Sequence, residues 1–157
     1  MIDRKDREVN LRRVMVATDG SDYAKKGVDV AIMLCKAVVA ELIVFHAIPV
    51  PRYSFTADSG NRYPFPLSQY FASARKEAQE IVNAAVALAT KNGIKANGLV
   101  ADPVYSIVEA IVQAAAAHNI DLVIVGNRGL SGFKKLLLGS VSDAVVNHAH
   151  CSVMVIR

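Results

Sequence analysis

The chain alternates apolar runs of strand length with amphipathic helical stretches, and its strands lack the polar alternation of a half-exposed sheet. Such runs occupy residues 12–18 (RRVMVAT), 41–47 (ELIVFHA), 121–126 (DLVIVG) and 152–157 (SVMVIR), with a weaker one, IKANGLVA, at 94–101. A strand that is apolar on successive residues must be covered on both faces, and the intervening helices supply the covers. The order β, α, β, α, β, α, β, glycine loop, α, β therefore reads as an α/β protein. Right-handed crossovers then favour a doubly wound, three-layer α/β/α sandwich on a five-stranded parallel sheet. In the strand order 3-2-1-4-5 the winding reverses between strands 1 and 4, and ligands of such sheets bind at the carboxyl ends of the strands beside that reversal.

The helices are legible from their spacing. A first helix over 22–38 carries Ala24, Val28, Ala31, Ile32 and Cys35 on one stripe, with Ser21 better placed than Asp19 to cap it. A long helix over 68–92 carries Phe71, Ala74, Ala78, Ile81, Val82, Ala85, Leu88 and Ala89 on one face and stops at Gly93. Asp102 and Pro103 read as the N-cap and first position of a third helix running to His118, and a last helix is expected over 141–148. Between 48 and 68 the sequence holds Pro49, Pro51, Pro64 and Pro66 with interleaved aromatics, which predicts a long loop.

The stretch GNRGLSGFKKLLLGSV, residues 126–141, follows the clearest strand and fits the spacing G-x2-G-x9-G-S. Gly126 and Gly129 allow a tight turn with exposed amides, while Gly139 and Ser140 open the last helix, where free amides and the helix dipole favour phosphate oxygens. Ser140 is also expected to cap that helix, with Asp143 as its capping-box partner. Arg128, inside the turn, is a candidate phosphate contact, whereas Lys134 and Lys135 read as solvated charge. Asp19 ends strand 1, so the topology sets a carboxylate and the glycine loop at one crevice.

At 157 residues with a formal net charge of +4, the chain is read as one domain over 1–157 with a frayed arm over 1–11. That charge is too weak to argue for nucleic acid. No run reaches the roughly 20 apolar residues of a membrane span, and the opening residues lack an apolar signal segment, so a cytoplasmic setting is expected. Cys35 and Cys151 read as reduced, apolar-packed thiols. His148 and His150 form an isolated H-x-H without a third ligand nearby, and His46 is expected to be packed or hydrogen-bonded in the interior.

The pieces VMVATDGS, IVFHA, DPVYSIVEA, DLVIVGNRG and LLLGSVSDAVVNHAHCSVMVIR occur in the order found in the universal stress protein family, which this chain resembles over nearly its whole length. The resemblance implies the adenine nucleotide α-hydrolase-like, Rossmann-like version of the sandwich and the ATP-binding branch of that family, usually homodimeric. It implies that Ala17, Thr18 and Asp19 border the adenosine, that Ala47 offers backbone groups to the base, and that Val125 and Gly126 contact base or ribose. Gly129, Gly139, Ser140 and Val141 would surround the phosphates, and Arg128 and Ser142, beside them in the chain, are further candidate contacts. The chain departs from the usual pattern at Ala17, where many members have proline, and at Ala101, where many have glycine.

ATP, or AMP or ADP in its place, is the expected ligand, with Mg²⁺ natural beside a loop that has few cations. The P-loop spacing, the dinucleotide fingerprint after strand 1 and the G-x-S-x-G elbow are all missing from the sequence, so a committed catalyst is not expected. Slow ATP hydrolysis or self-phosphorylation at Ser140 or Ser142 stays open, as does an interaction module without a ligand. The last strand, an apolar edge, suggests a homodimer formed through it, and an unidentified protein client is the expected partner.

Overall fold

The computed structural model describes residues 10–51, 67–127 and 139–157. Its elements are β1 (Arg13–Ala17), α1 (Asp22–Val38), β2 (Glu41–Pro49), α2 (Leu67–Lys91), β3 (Ala96–Val104), α3 (Ile107–Ala117), β4 (Leu122–Gly126), α4 (Ser140–His148) and β5 (Ser152–Ile156). The strands form one sheet in the order β3-β2-β1-β4-β5, and every pairing is parallel. This is the expected five-stranded parallel α/β architecture.

Period-2 alternation within apolar strands builds two cores instead of one. Val14, Val16, Leu42, Val44, Leu122 and Ile124 face Val28, Ile32 and Cys35 of α1 and Val82 and Ala89 of α2. Met15, Ile43, Phe45, Val123 and Val125 point the other way, against Ile111 and Ala115 of α3 and Val145 of α4. Met15, Phe45, Leu42 and Ile124 are essentially inaccessible, and each contributes about 1.5–3 kcal/mol by leaving water. Cys35 and Cys151 are free thiols, and burial pushes Cys35 from 9.0 up to about 11, so it packs as a neutral side chain.

Ser21 caps α1, its Oγ accepting from the Ala24 amide at 3.3 Å. Gly93, with φ of +80°, terminates α2. One expectation fails at β3. Asp102 and Pro103 do not open α3: the strand continues to Val104, pairs with Pro49 after a register shift, and accepts the Val50 amide on the Val104 carbonyl at 2.8 Å. The Asp102 carboxylate is held by Arg75 of α2 instead of by helix amides. Ser106 caps α3, its Oγ accepting from the Glu109 amide at 3.2 Å. Pro103 is tolerated because β3 is an edge strand, where a missing amide costs no ladder bond. No helix among the described residues is long and apolar enough to cross a membrane.

Candidate functional site

Two corners meet where the winding reverses. On the β1 side the Thr18 amide donates to the Phe45 carbonyl at 2.9 Å, prolonging the ladder past Ala17. The chain then turns: Thr18 Oγ1 accepts from the Gly20 amide at 3.3 Å, and Asp19 Oδ1 accepts from the Ser21 amide at 3.0 Å. The Thr18 carbonyl lies 2.8 Å from His46 Nδ1. A carbonyl can only accept, so Nδ1 carries the proton and the ring tautomer is set by this contact. The expected interior hydrogen bond of His46 is therefore present, and it ties β2 to the β1–α1 corner.

On the β4 side the Asn127 amide donates to Ile156 at 2.6 Å, and the Asn127 carbonyl accepts the Gly139 amide at 2.9 Å. The two segments come so close that a Cβ on Gly139 would stand 2.5 Å from the Asn127 oxygen. Ser142, buried in the first turn of α4, donates its hydroxyl to the Gly139 carbonyl at 2.9 Å, with the Asn127 carbonyl also within 3.4 Å. Two expectations are corrected here. The Gly139 amide is committed within the fold and is not a free phosphate donor. Gly139 is the N-cap, without a side-chain cap bond, and Ser140 is the first helical residue, so the Ser140–Asp143 capping box does not form. The amides of Ser140, Val141 and Ser142 have no partner among the described residues, as the first turn of a helix requires.

Between the corners lies a cavity of about 470 Å³, within the usual range for small-molecule sites. It is lined by Ala17, Thr18 and Asp19 from the first corner, Ala47 from β2, Val125 and Gly126 from β4, and Ser140, Val141 and Ser142 from α4. These residues singled out in the sequence thus line one cavity, and Gly139, held on the Asn127 carbonyl, is not among its lining. Arg128 and Gly129 lie outside the described residues.

The sequence reading missed one wall. Tyr70, Ala74, Glu77 and Ile81 of α2 line the cavity, as do Ile48, Pro49 and His46 of β2 and Ile107 and Ile111 of α3. The α2 residues form a stripe at i, i+4, i+7 and i+11, which spacing alone reads as core. Tyr70 also donates its hydroxyl to the Pro49 carbonyl at 3.4 Å. Chemically the cavity has two ends: aliphatic side chains around the strand tips, and a helix mouth with unpaired amides where an anion is favoured. Asp19 and Glu77 are its carboxylates, and no group of three or more His, Cys, Asp or Glu converges among the described residues to hold a metal by protein ligands alone. Such a donor set suits Mg²⁺ only as a companion of bound phosphate, because that ion keeps most of its waters and needs few carboxylates.

The family model described as the universal stress protein family matches residues 10–157. A universal stress protein of Thermus aquaticus is 36% identical over 149 residues, covering 94% of this chain and 99% of its own. Among solved structures, the universal stress protein UspA of Lactobacillus plantarum superposes with a TM-score of 0.79 at 22% identity, covering 94% and 99% of the two chains. A universal stress protein in complex with cAMP is 28% identical, with a TM-score of 0.63 and coverage of 93% and 96%. Two further matched structures, each 20% identical, hold dAMP and AMP.

Proposed function

This chain belongs to the universal stress protein family, and from that premise we propose that it binds an adenine nucleotide in the cavity between the two corners and acts as a nucleotide-dependent switch in a stress response. The observation that carries the reading is the two-ended chemistry of that cavity: an aliphatic pocket at the strand tips and, at the helix mouth, three amides, Ser140 to Ser142, without a partner among the described residues. Adenosine fits the first and phosphate the second. The adenine nucleotides held by related proteins, cAMP, dAMP and AMP, support the same class of ligand.

In this reading Ala17, Thr18 and Asp19 flank the adenosine, with the Asp19 carboxylate accepting a hydrogen bond from it. Ala47 presents backbone groups to the base, and Val125 and Gly126 lie against base or ribose. The amides of Ser140, Val141 and Ser142 take phosphate oxygens, with Arg128 and Gly129 completing that end. ATP is the favoured ligand, and Mg²⁺ would neutralise part of its charge. The Ser142 hydroxyl keeps its proton on the Gly139 carbonyl, so the amide of that residue, more than its side chain, serves the ligand.

Mass spectrometry of the small molecule released when the purified chain is denatured tests the proposal, together with calorimetry using ATP, ADP and AMP with and without Mg²⁺. Recovery of an adenine nucleotide, or saturable binding of one, is expected. No released nucleotide and no heat with any of the three would sink it. Binding without steady hydrolysis separates a switch from a slow ATPase.

We further propose a homodimer through β5. That strand is an edge of the sheet among the described residues, and Met154 on it is 36% exposed. An apolar edge invites a second strand. Met154→Lys should shift the sedimenting species toward monomer; an unchanged species would exclude this edge.

A further inference from the structure

We propose that the groove between α1 and α2 is a docking site for a basic, amphipathic helical segment of a partner protein. This goes beyond nucleotide binding and does not rest on it. α1 and α2 cover the same face of the sheet, yet among the described residues a groove of about 680 Å³ lies between them. Its apolar lining is made by Val28 of α1 and Ile81, Ala85 and Leu88 of α2. Leu88 keeps 41% of its surface exposed, although Val82, Ala85 and Ala89 of the same stripe are buried. Leu88 thus adds exposed apolar surface to the lining of the groove, next to the buried side chains of its own stripe, where a partner can cover it.

The rim carries the specificity. Asp29 of α1, Glu77 and Glu80 of α2, and Asp19 at the head of the groove are acidic, while Lys25 is the one basic residue among the described lining. Lys25 already faces Asp22 at 3.7 Å. Asp29, Glu77 and Glu80 enter no ion pair among the described residues. The chain as a whole has a formal net charge of +4, so the groove reverses the sign of its host. The carboxylates do not converge as a metal site does; they are strung along an apolar trough, which complements a row of Lys and Arg beside an apolar stripe. From Glu77 to Leu88 the groove runs about 16 Å, the length of three helical turns. Such a trough takes apolar anchors at i, i+4 and i+7.

The test uses the full chain and a labelled helical peptide of about 14 residues built from Leu and Lys. A Leu/Glu counterpart and a scrambled Leu/Lys peptide without the apolar stripe serve as controls. Fluorescence anisotropy at low and moderate salt reads binding, and amide shifts of the isotope-labelled chain locate it. The variants are Asp29→Lys with Glu80→Lys, and Leu88→Ala, all at positions outside the nucleotide cavity; thermal melts confirm that each is folded.

Saturable, salt-sensitive binding of the Leu/Lys peptide is expected, with shifts concentrated at residues 25–29 and 77–88. The charge reversal should weaken it about tenfold or more, and Leu88→Ala should weaken it at moderate salt as well. The proposal is overturned if that peptide fails to bind, if either control binds equally, if the variants leave binding unchanged, or if the shifts fall elsewhere. It is also overturned if the variants change the sedimenting species without changing peptide binding, which would give the groove to a second copy of this chain.

Discussion

Gly139 shows how a single absent methyl group can set the geometry of a whole corner. Its amide closes onto the Asn127 carbonyl, and its own carbonyl receives the Ser142 hydroxyl. An alanine there would bring Cβ to 2.5 Å of backbone oxygen, an atom that cannot swing aside as a side chain could. Gly139→Ala should therefore destabilise the fold by about 1–3 kcal/mol, the usual range for an overpacked site. It should also weaken adenine-nucleotide affinity by pushing the amides of Ser140 to Ser142 out of line. Urea titration and calorimetry check both effects, with Lys76→Ala, at an exposed position outside the cavity, as the neutral control. Wild-type stability in Gly139→Ala would mean that the close contact is not required. Glycine at this position was legible in the G-x2-G-x9-G-S spacing, but its job was not. Spacing reveals where the backbone is bare, and only the fold reveals that Gly139 is bare for the sake of Asn127.

At the scale of elements, the cavity depends on how α2 sits on the sheet. Gly98 of β3 lets α2 approach: a Cβ there would fall 2.3 Å from Val82 Cγ1. Val82 is 1% exposed and, being β-branched in a helix, has essentially one rotamer, so it cannot turn away. Gly98→Ala should cost about 1–3 kcal/mol. Adding Val82→Ala should recover part of that loss by opening the space, a non-additivity that a double-mutant cycle in urea would read directly. Simple additivity would show that the two residues do not press on each other. The sequence reading treated Gly98 only as a weakness in the strand and ended that strand early, at Ala101. Asp followed by Pro has the local chemistry of a helix start, yet the pairing of Val104 with Pro49 and the Arg75–Asp102 ion pair, both long-range, hold the segment as strand. The apolar runs that set the sheet order were local and could be read. The wall supplied by Tyr70, Glu77 and Ile81 was not, because its place in the cavity comes from helix-to-sheet packing.

At the scale of the molecule, the proposed nucleotide cavity and the acidic groove share a partition. Thr18, Asp19, Glu77 and Ile81 line both, and the β1–α1 corner packs on α2 so closely that a Cβ on Gly20 would stand 3.0 Å from Ile81 Cδ1. A ligand that fixes that corner is expected to act on the groove, and any such effect would be returned by a segment in the groove by the same factor, because linkage between two binding free energies is reciprocal. The sign follows from charge. A nucleotide bound as proposed would carry its negative charge at the α4 end of the cavity, and the part of that field that reaches the rim would favour a basic segment there; salt screens it over about 8–10 Å. Saturating nucleotide should tighten the Leu/Lys peptide about fivefold or more, more strongly for ATP than for AMP in the absence of Mg²⁺. Peptide should tighten ATP equally. Anisotropy titrations with and without nucleotide, paired with calorimetry with and without peptide, measure the two factors. Ile81→Ala, which thins the partition, should reduce both together. Two ligands that bind with no mutual effect would show that the cavities are independent, and the proposed switch would then have to act through another face of the sheet.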